Sequence, residues 1–243
     1  MIQLQRVSKV FPNGQVALHD VTLNVATGST VALLGPSGSG KTTTLKLMNR
    51  LVTPTTGEVR VNGIDVAHAD PITLRRQIGY VVQEAGLFPH LTARENVELM
   101  PRLLKWPEAK RRARTEELFA LLGLDLAHHG SHYPAELSGG QRQRVGLARA
   151  LATDPPIVLM DEPFGALDPL TRRRLQREFR LLNAALHKTV VLVTHDVEEA
   201  LFLADRVAVL ADGTVEQDGT PDEIRRTPTS EFVASFLGLL REA

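Results

Sequence analysis

The sequence predicts an α/β fold with a mainly parallel sheet, an antiparallel β subdomain and a helical lobe inserted into the core. Three observations carry this. Four short runs, Thr30–Leu34, 78–82, 157–160 and 189–193, are apolar, rich in β-branched residues and free of polar alternation. That is the pattern of strands covered on both faces, as in a parallel sheet. Helical patterns lie between the runs, which makes α/β the natural class. The pairs Asn62-Gly63 and Asp212-Gly213 each sit between β-like runs and suit tight hairpin turns, so an antiparallel piece is expected beside the parallel sheet.

Each apolar run ends in a polar group. Gly35 follows the first, Gln83 the second, Asp161 and Glu162 the third, and Thr194 with His195 the fourth. Ligands of open parallel sheets bind at the carboxyl ends of the strands, so one shared site is expected there. Residues ~88–135 read as mainly helical with Pro and Gly punctuation, the inserted lobe. Core segments 1–87 and 136–243 enclose it. Within the lobe, Pro107 is expected to open a helix, and Leu118, Leu121 and Leu122 form an apolar stripe before Gly123. Near the end, Thr220-Pro221-Asp222-Glu223 reads as a capping box with proline in the first turn.

Composition narrows the function. The 243 residues carry 28 Lys and Arg against 28 Asp and Glu, so no global basic field exists to hold nucleic acid. The absence of cysteine removes disulfides, thiolate metal sites and cysteine nucleophiles together. No apolar run approaches the ~20 residues a spanning helix needs, and the opening MIQLQRVSKV lacks the apolar stretch of a secretion signal. A cytoplasmic location is expected, unless a partner brings the chain to a membrane.

Residues 35–42 read GPSGSGKT, matching the phosphate-loop pattern G-x-x-x-x-G-K-[ST] after a strand and before a helix. The core is therefore expected to be of the P-loop nucleoside-triphosphatase type. Gly38 and Gly40 let the backbone curl so that N–H groups face an anion, and the following helix adds its positive end. Gly35, Pro36, Ser37, Gly38, Ser39, Gly40, Lys41, Thr42 and Thr43 are the candidate triphosphate-binding residues. Lys41 is assigned to the β- and γ-phosphates and the Thr42 hydroxyl to Mg²⁺. Adjacent carboxylates at the end of a buried strand repel each other, and a divalent cation relieves this. Asp161 is the candidate Mg²⁺ partner through a water, and Glu162 the candidate general base. Beside a phosphate loop this reading is preferred to a pair of solvated loop acids. Gln83 is placed to order water and Mg²⁺, and His195 to bond the γ-phosphate.

Residues 137–141 read LSGGQ before the helical RQRVGLARAL. Ser138 and Gln141 fit an S-x-x-Q capping box, and a merely well-capped helix is one reading. Gly139 and Gly140 also expose N–H groups at a helix start, a second anion site. Two phosphate-facing elements almost 100 residues apart in one chain point to a two-fold dimer in which each copy completes the other's site.

These strings, in the order GPSGSGKT, Gln83, LSGGQ, IVLMDE, GALD at 165–168 and His195, resemble the ATPase subunit of ABC transporters along almost the whole chain. The resemblance implies a head-to-tail dimer clamping two Mg-ATP. Ser138 and Gly140 then face the γ-phosphate held by the partner copy, and Asp168 lies at the dimer seam. Phe11 falls where the family places an aromatic against adenine; a core Phe near a strand end is the alternative. Gly165 departs from the Ser that many members carry before A-L-D.

YPAELSGGQ (133–141) and GLFPHLTARENV (86–97) resemble bacterial importer ATPases. ELMPRLLKWPEAK (98–110) and GTPDEIRRTPTSEFVASFLG (219–238) resemble the ATPases of osmoprotectant importers, which take up glycine betaine, choline or carnitine. The implied partners are transmembrane permease subunits, docked around residues 83–100 with Leu87, Phe88 and Leu91 as a contact patch, and an extracytoplasmic substrate-binding protein. The implied location is the inner face of the cell membrane. Many such ATPases continue into paired CBS modules; this chain ends at Ala243, so any osmotic control is expected to reside elsewhere. An importer for another solute and a nucleic-acid-associated ABC ATPase are the rivals. The clusters at 110–114 and 172–174 read as solvated helix faces, and His128, His129 and His132 lack the patterned carboxylates or cysteines of a metal site. No nucleic-acid partner is expected.

Overall fold

The computed structural model describes residues 1–239. The last four residues of the expected core, 240–243, lie outside them. The chain forms two compact units: Met1–Arg75 together with the segment from Lys188 onward, and Arg76–His187.

The first unit opens with β1 (Ile2–Val10), β2 (Val16–Val25), β3 (Thr30–Leu34), α1 (Lys41–Met48), β4 (Thr56–Val61), β5 (Ile64–Asp65) and α2 (Pro71–Arg76). β2, β1, β4 and β5 pair in that order as an antiparallel sheet. Ile2 and Leu4 of β1 alternate with exposed neighbours, and after an irregularity in register Val7 is buried again, which gives one face to the core. The β4–β5 turn takes positive φ at both Asn62 and Gly63, the geometry of a two-residue hairpin.

The second unit holds β6 (Ile78–Val81), α3 (Ala93–Leu103), α4 (Glu108–Leu121), α5 (Leu126–His129), α6 (Gly139–Leu151), β7 (Ile157–Asp161) and α7 (Pro169–Leu186), with a 3-10 turn at Gln83–Gly86. β6 and β7 are parallel, with Val81 opposite Met160. The expected helical segment 88–135 lies wholly inside this unit and supplies α3, α4 and α5. Two local details differ from expectation. Pro107 adopts an extended φ −53°, ψ 144° and caps α4 from outside rather than opening its first turn. Leu121 is 44 % exposed, whereas Thr115, Leu118, Phe119 and Leu122 point inward. At 3.6 residues per turn Leu121 lies about 110° from the mean direction of those four.

The chain then returns to the first unit with β8 (Thr189–Thr194), α8 (Val197–Leu203), β9 (Arg206–Ala211), β10 (Thr214–Gly219), α9 (Pro221–Arg226) and α10 (Glu231–Phe236). β3 pairs parallel with both β8 and β9, and β10 joins β9 antiparallel. The Asp212-Gly213 hairpin therefore extends the layer of parallel strands instead of the antiparallel sheet. All five residues of β3 and all six of β8 are buried, the reason their sequences show no polar alternation. α9 starts with the capping box between Thr220 and Glu223 and Pro221 in its first turn. Among the described residues no helix is long and apolar enough to cross a membrane.

Candidate nucleotide-binding site

In the first unit the loop 35–40 joins the end of β3 to the start of α1. Leu34 is in register with Thr194, so Gly35 and His195 leave adjacent strands at the same edge. His195 is exposed there. The loop's glycines answer to different demands. A Cβ on Gly35 would stand 2.1 Å from the backbone oxygen of Leu210, and one on Gly40 would stand 2.5 Å from Leu18 Cδ2. Gly38, at φ +82°, has nothing within 4 Å of that position. Its missing side chain leaves open space for an anion to reach the backbone.

Gly40 is the N-cap of α1 and offers no side-chain cap, and no acidic residue lies in the first turn. By contrast Thr92, Ser138 and Asp168 cap α3, α6 and α7 with their own oxygens. The α1 start therefore presents backbone N–H groups to a ligand. Lys41 is buried, and its Nζ donates to the carbonyls of Gly35 at 2.8 Å and Pro36 at 2.7 Å and to Ser39 Oγ at 3.4 Å. The ammonium is thus held inside the loop it serves. Thr42 and Thr43 follow, half-buried, on the first turn. Phe11 stands at the tip of the β1–β2 hairpin, where its partners are Lys9, whose Nζ lies 5.2 Å from the ring centroid, and the Gln15 carbonyl, which accepts from its N–H.

In the second unit β7 delivers Asp161 at its buried end and Glu162 just beyond. Glu162 takes φ +46°, a left-handed conformation that a non-glycine residue holds only against strain. Its carboxylate accepts a hydrogen bond of 3.2 Å from Gln83 Nε2, which turns the amide oxygen of Gln83 away from that acid. Burial pushes the Tyr80 phenol up to about 12, with the Asp161 carboxylate adding to the effect. Within this unit the Gln83 amide and the Asp161 carboxylate both carry oxygen donors, the type that suits Mg²⁺.

The second glycine loop lies in the same unit. Ser138 caps α6 and forms the box with Gln141: Gln141 N–H donates to Ser138 Oγ, and Ser138 N–H donates to Gln141 Oε1 at 2.7 Å. A Cβ on Gly140 would stand 2.9 Å from Thr171 Cγ2, so the loop abuts the start of α7. Asp168 caps that helix by accepting from Thr171 N–H at 3.0 Å, and the Thr171 hydroxyl and amide hold its exposed carboxyl below the usual range. A Cβ on Gly165 would meet Glu162 atoms only at 3.6–3.8 Å, ordinary contact that leaves room for serine.

Sequence reasoning missed Arg149. From α6 it donates to the carbonyls of Gly86 at 2.7 Å and Ala85 at 3.0 Å, pinning the turn that starts at Gln83. The close approach is made possible by Gly146, whose Cβ position lies 3.0 Å from Ala85 Cβ. The small residues at Gly146 and Ala150 on a largely buried helix were the available signal. Asn96 was missed too. Buried on α3, its side-chain amide accepts from Phe88 N–H and donates to the carbonyls of Phe88, Leu91 and Thr92.

A glycine loop curled round a lysine, at the carboxyl edge of parallel strands and the open start of a helix, is the phosphate-binding element of nucleoside-triphosphate-binding α/β proteins. The ABC transporter family model matches residues 18–165, and the chain belongs to that family. It is 52 % identical over 238 residues to the glycine betaine/carnitine/choline transport ATP-binding protein OpuCA of Bacillus subtilis, covering 98 % of this chain and 62 % of that protein. It is 49 % identical over 242 residues to the osmoprotectant import ATP-binding protein OsmV of Salmonella typhimurium, covering 98 % of this chain and 63 % of that one. The chain thus spans a little under two thirds of the length of these relatives. Among solved structures, the dimeric post-hydrolysis state of the ATP-binding cassette MJ0796 bound to ADP and Pi matches with a TM-score of 0.81 and 40 % identity, over 91 % of this chain and 99 % of that one.

Proposed function

We propose that this chain is the ATP-hydrolysing subunit of an ABC importer for osmoprotectant quaternary amines such as glycine betaine, choline or carnitine. It acts as a homodimer bound to transmembrane permease subunits at the cytoplasmic face of the membrane, in a transporter completed by an extracytoplasmic substrate-binding protein. The observation that carries this reading is the 52 % identity, over 98 % of the chain, to a transport ATP-binding protein for those solutes.

The roles follow from the side chains. The backbone of residues 35–40 receives the phosphates, and Lys41 exchanges its loop carbonyls for β- and γ-phosphate oxygens. Thr42, Gln83 and, through a water, Asp161 would hold Mg²⁺, which would supply positive charge to offset that of the phosphates. Glu162 orients the attacking water and takes its proton, with Gln83 steadying the carboxylate. His195 bonds the γ-phosphate. Ser138, Gly139, Gly140 and Gln141 of the partner copy close over the same phosphate, Asp168 lies at the seam, and Phe11 stacks on adenine. The segment 83–100, with Leu87, Phe88 and Leu91 as the contact patch, seats the permease; Phe88 is 42 % exposed. ATP closes the dimer, and hydrolysis with product release reopens it.

Two measurements test this. The purified chain should hydrolyse ATP in a Mg²⁺-dependent way, unstimulated by DNA or RNA. Cells expressing the complete transporter should take up radiolabelled glycine betaine, choline or carnitine, and lose uptake on deletion of this chain. An ATPase whose deletion leaves quaternary-amine uptake intact would overturn the solute assignment, and an inactive chain the enzymatic one.

A further inference from the structure

We infer that His129 is a positioning residue for the second glycine loop, making the loop's hold on nucleotide weaken as pH falls. The inference rests on the reading of Gln141 as part of the clamp on ATP. His129 ends α5, half-buried, and its two ring nitrogens have opposite partners. Nδ1 faces the carbonyl oxygen of Asp125 at 3.0 Å, and Nε2 faces Nε2 of Gln141 at 2.9 Å. A carbonyl only accepts, so Nδ1 carries the proton. An amide nitrogen only donates, so the ring Nε2 must accept. Both bonds therefore specify the neutral Nδ1–H tautomer.

The Gln141 amide cannot turn over to suit a protonated ring. Its oxygen already accepts the Ser138 N–H at 2.7 Å in the box that closes α6. Turning the amide would break that cap, and leaving it would set two N–H donors against each other. Protonated His129 thus opposes the Ser138–Gln141 geometry, whereas neutral His129 locks it. Among the described residues the charged groups around the ring include Asp125, whose carboxylate accepts Ala127 N–H at the head of α5. His128 and His132 lie with ring centroids 4.7 and 6.1 Å away. Arg94 of α3 reaches the adjoining Gly130, and Arg142 of α6 is occupied by the carbonyls of Leu137 and Pro134. α4, which also packs on α5, carries no charge in its last turn.

The test compares wild type, His129→Gln and His129→Leu by ATPase kinetics from about pH 8.5 to about pH 5.5, either side of neutrality. Glutamine offers a non-titrating amide oxygen where Nε2 stands; leucine removes the acceptor. At the alkaline end H129Q should match wild type within about twofold, and H129L should lose about two- to tenfold in kcat/KM, the span of one neutral hydrogen bond. On acidification the ratio of wild type to H129Q should fall by that same factor, while the ratio of H129L to H129Q stays flat. Taking ratios cancels His195 and every other shared group. A constant ratio of wild type to H129Q overturns the inference. A second readout needs no nucleotide: nitrogen–proton correlation spectra of the imidazole at the alkaline end should place the proton on Nδ1, and a proton on Nε2 overturns it equally. Absence of ATP hydrolysis in wild type would instead sink the ABC ATPase reading and the gating built on it, so the two failures are separate.

Discussion

Gly38→Ala should separate folding from nucleotide binding. At φ +82° the new side chain meets a left-handed backbone cost of about 1–2 kcal/mol. No steric cost adds to it, because nothing lies within 4 Å of the Cβ position. Gly40→Ala is the internal control. It pays the same kind of backbone strain at φ +99° and also drives its Cβ to 2.5 Å from Leu18 Cδ2 and 2.7 Å from the Ala17 carbonyl. Overpacking of that sort adds about 1–3 kcal/mol, for a total of about 2–5. Urea unfolding should therefore place Gly38→Ala above Gly40→Ala by at least about 1 kcal/mol. Ligand binding should invert the usual logic. Saturating Mg-ATP should raise the unfolding midpoint of wild type, as any ligand of the folded state does. Gly38→Ala, though well folded, should lose most of that increment, because its methyl fills the space through which an anion meets the loop N–H groups. Equal destabilisation of the two variants, or an undiminished ATP increment in Gly38→Ala, would refute this account of the loop.

Glu162→Gln should retain ATP binding and ATP-dependent dimerisation on size-exclusion chromatography while hydrolysis falls about 10²–10⁴-fold; unchanged turnover would remove Glu162 from its role. Arg149→Ala should cost about 2–4 kcal/mol in urea unfolding, since two charge-assisted bonds to carbonyls disappear, and Arg149→Lys should recover only part of it. Gly165→Ser should lie within about 0.5 kcal/mol of wild type, given the 3.6–3.8 Å contacts its Cβ would make; a larger loss would mean that the turn is tighter than described. In an ultraviolet titration Tyr80 should ionise near 12. The folded value lies above the ordinary 10.0, so its contribution to stability is complete below pH 10 and disappears as pH rises toward 12. Asp161→Asn should lower that step only slightly, because burial is the larger cause.

The strands of the parallel layer were legible because burial on both faces writes itself into composition: Thr30–Leu34 reads as β3 without adjustment. Caps were legible because they are local chemistry, as at Ser138 with Gln141 and Thr220 with Glu223. What escaped depends on elements distant in sequence. The small residues Gly146 and Ala150 mark a close approach along α6, but they do not say that the Arg149 guanidinium reaches Gly86, 63 residues earlier. The place of the Asp212-Gly213 hairpin was hidden because turn residues specify a hairpin but not the sheet it joins. Leu121 misled because an i, i+3, i+4 stripe has two edges, and only the packing of Leu118 and Phe119 decides which edge faces solvent. At the site, residue types and spacing marked Gln83 and Glu162, but the hydrogen bond between them and the left-handed backbone of Glu162 needed the folded chain.

α6 carries Ser138 at its head and, from its flank, Arg149 on the turn that begins at Gln83. Its 13 residues form a rod about 20 Å long that cannot stretch to absorb a mismatch. The two loops it serves are consequently set by one ruler. An engineer who transplants the LSGGQ segment from another cassette must carry Gly146, Arg149 and Ala150 with it, or the graft will arrive with its glutamine turn out of gauge.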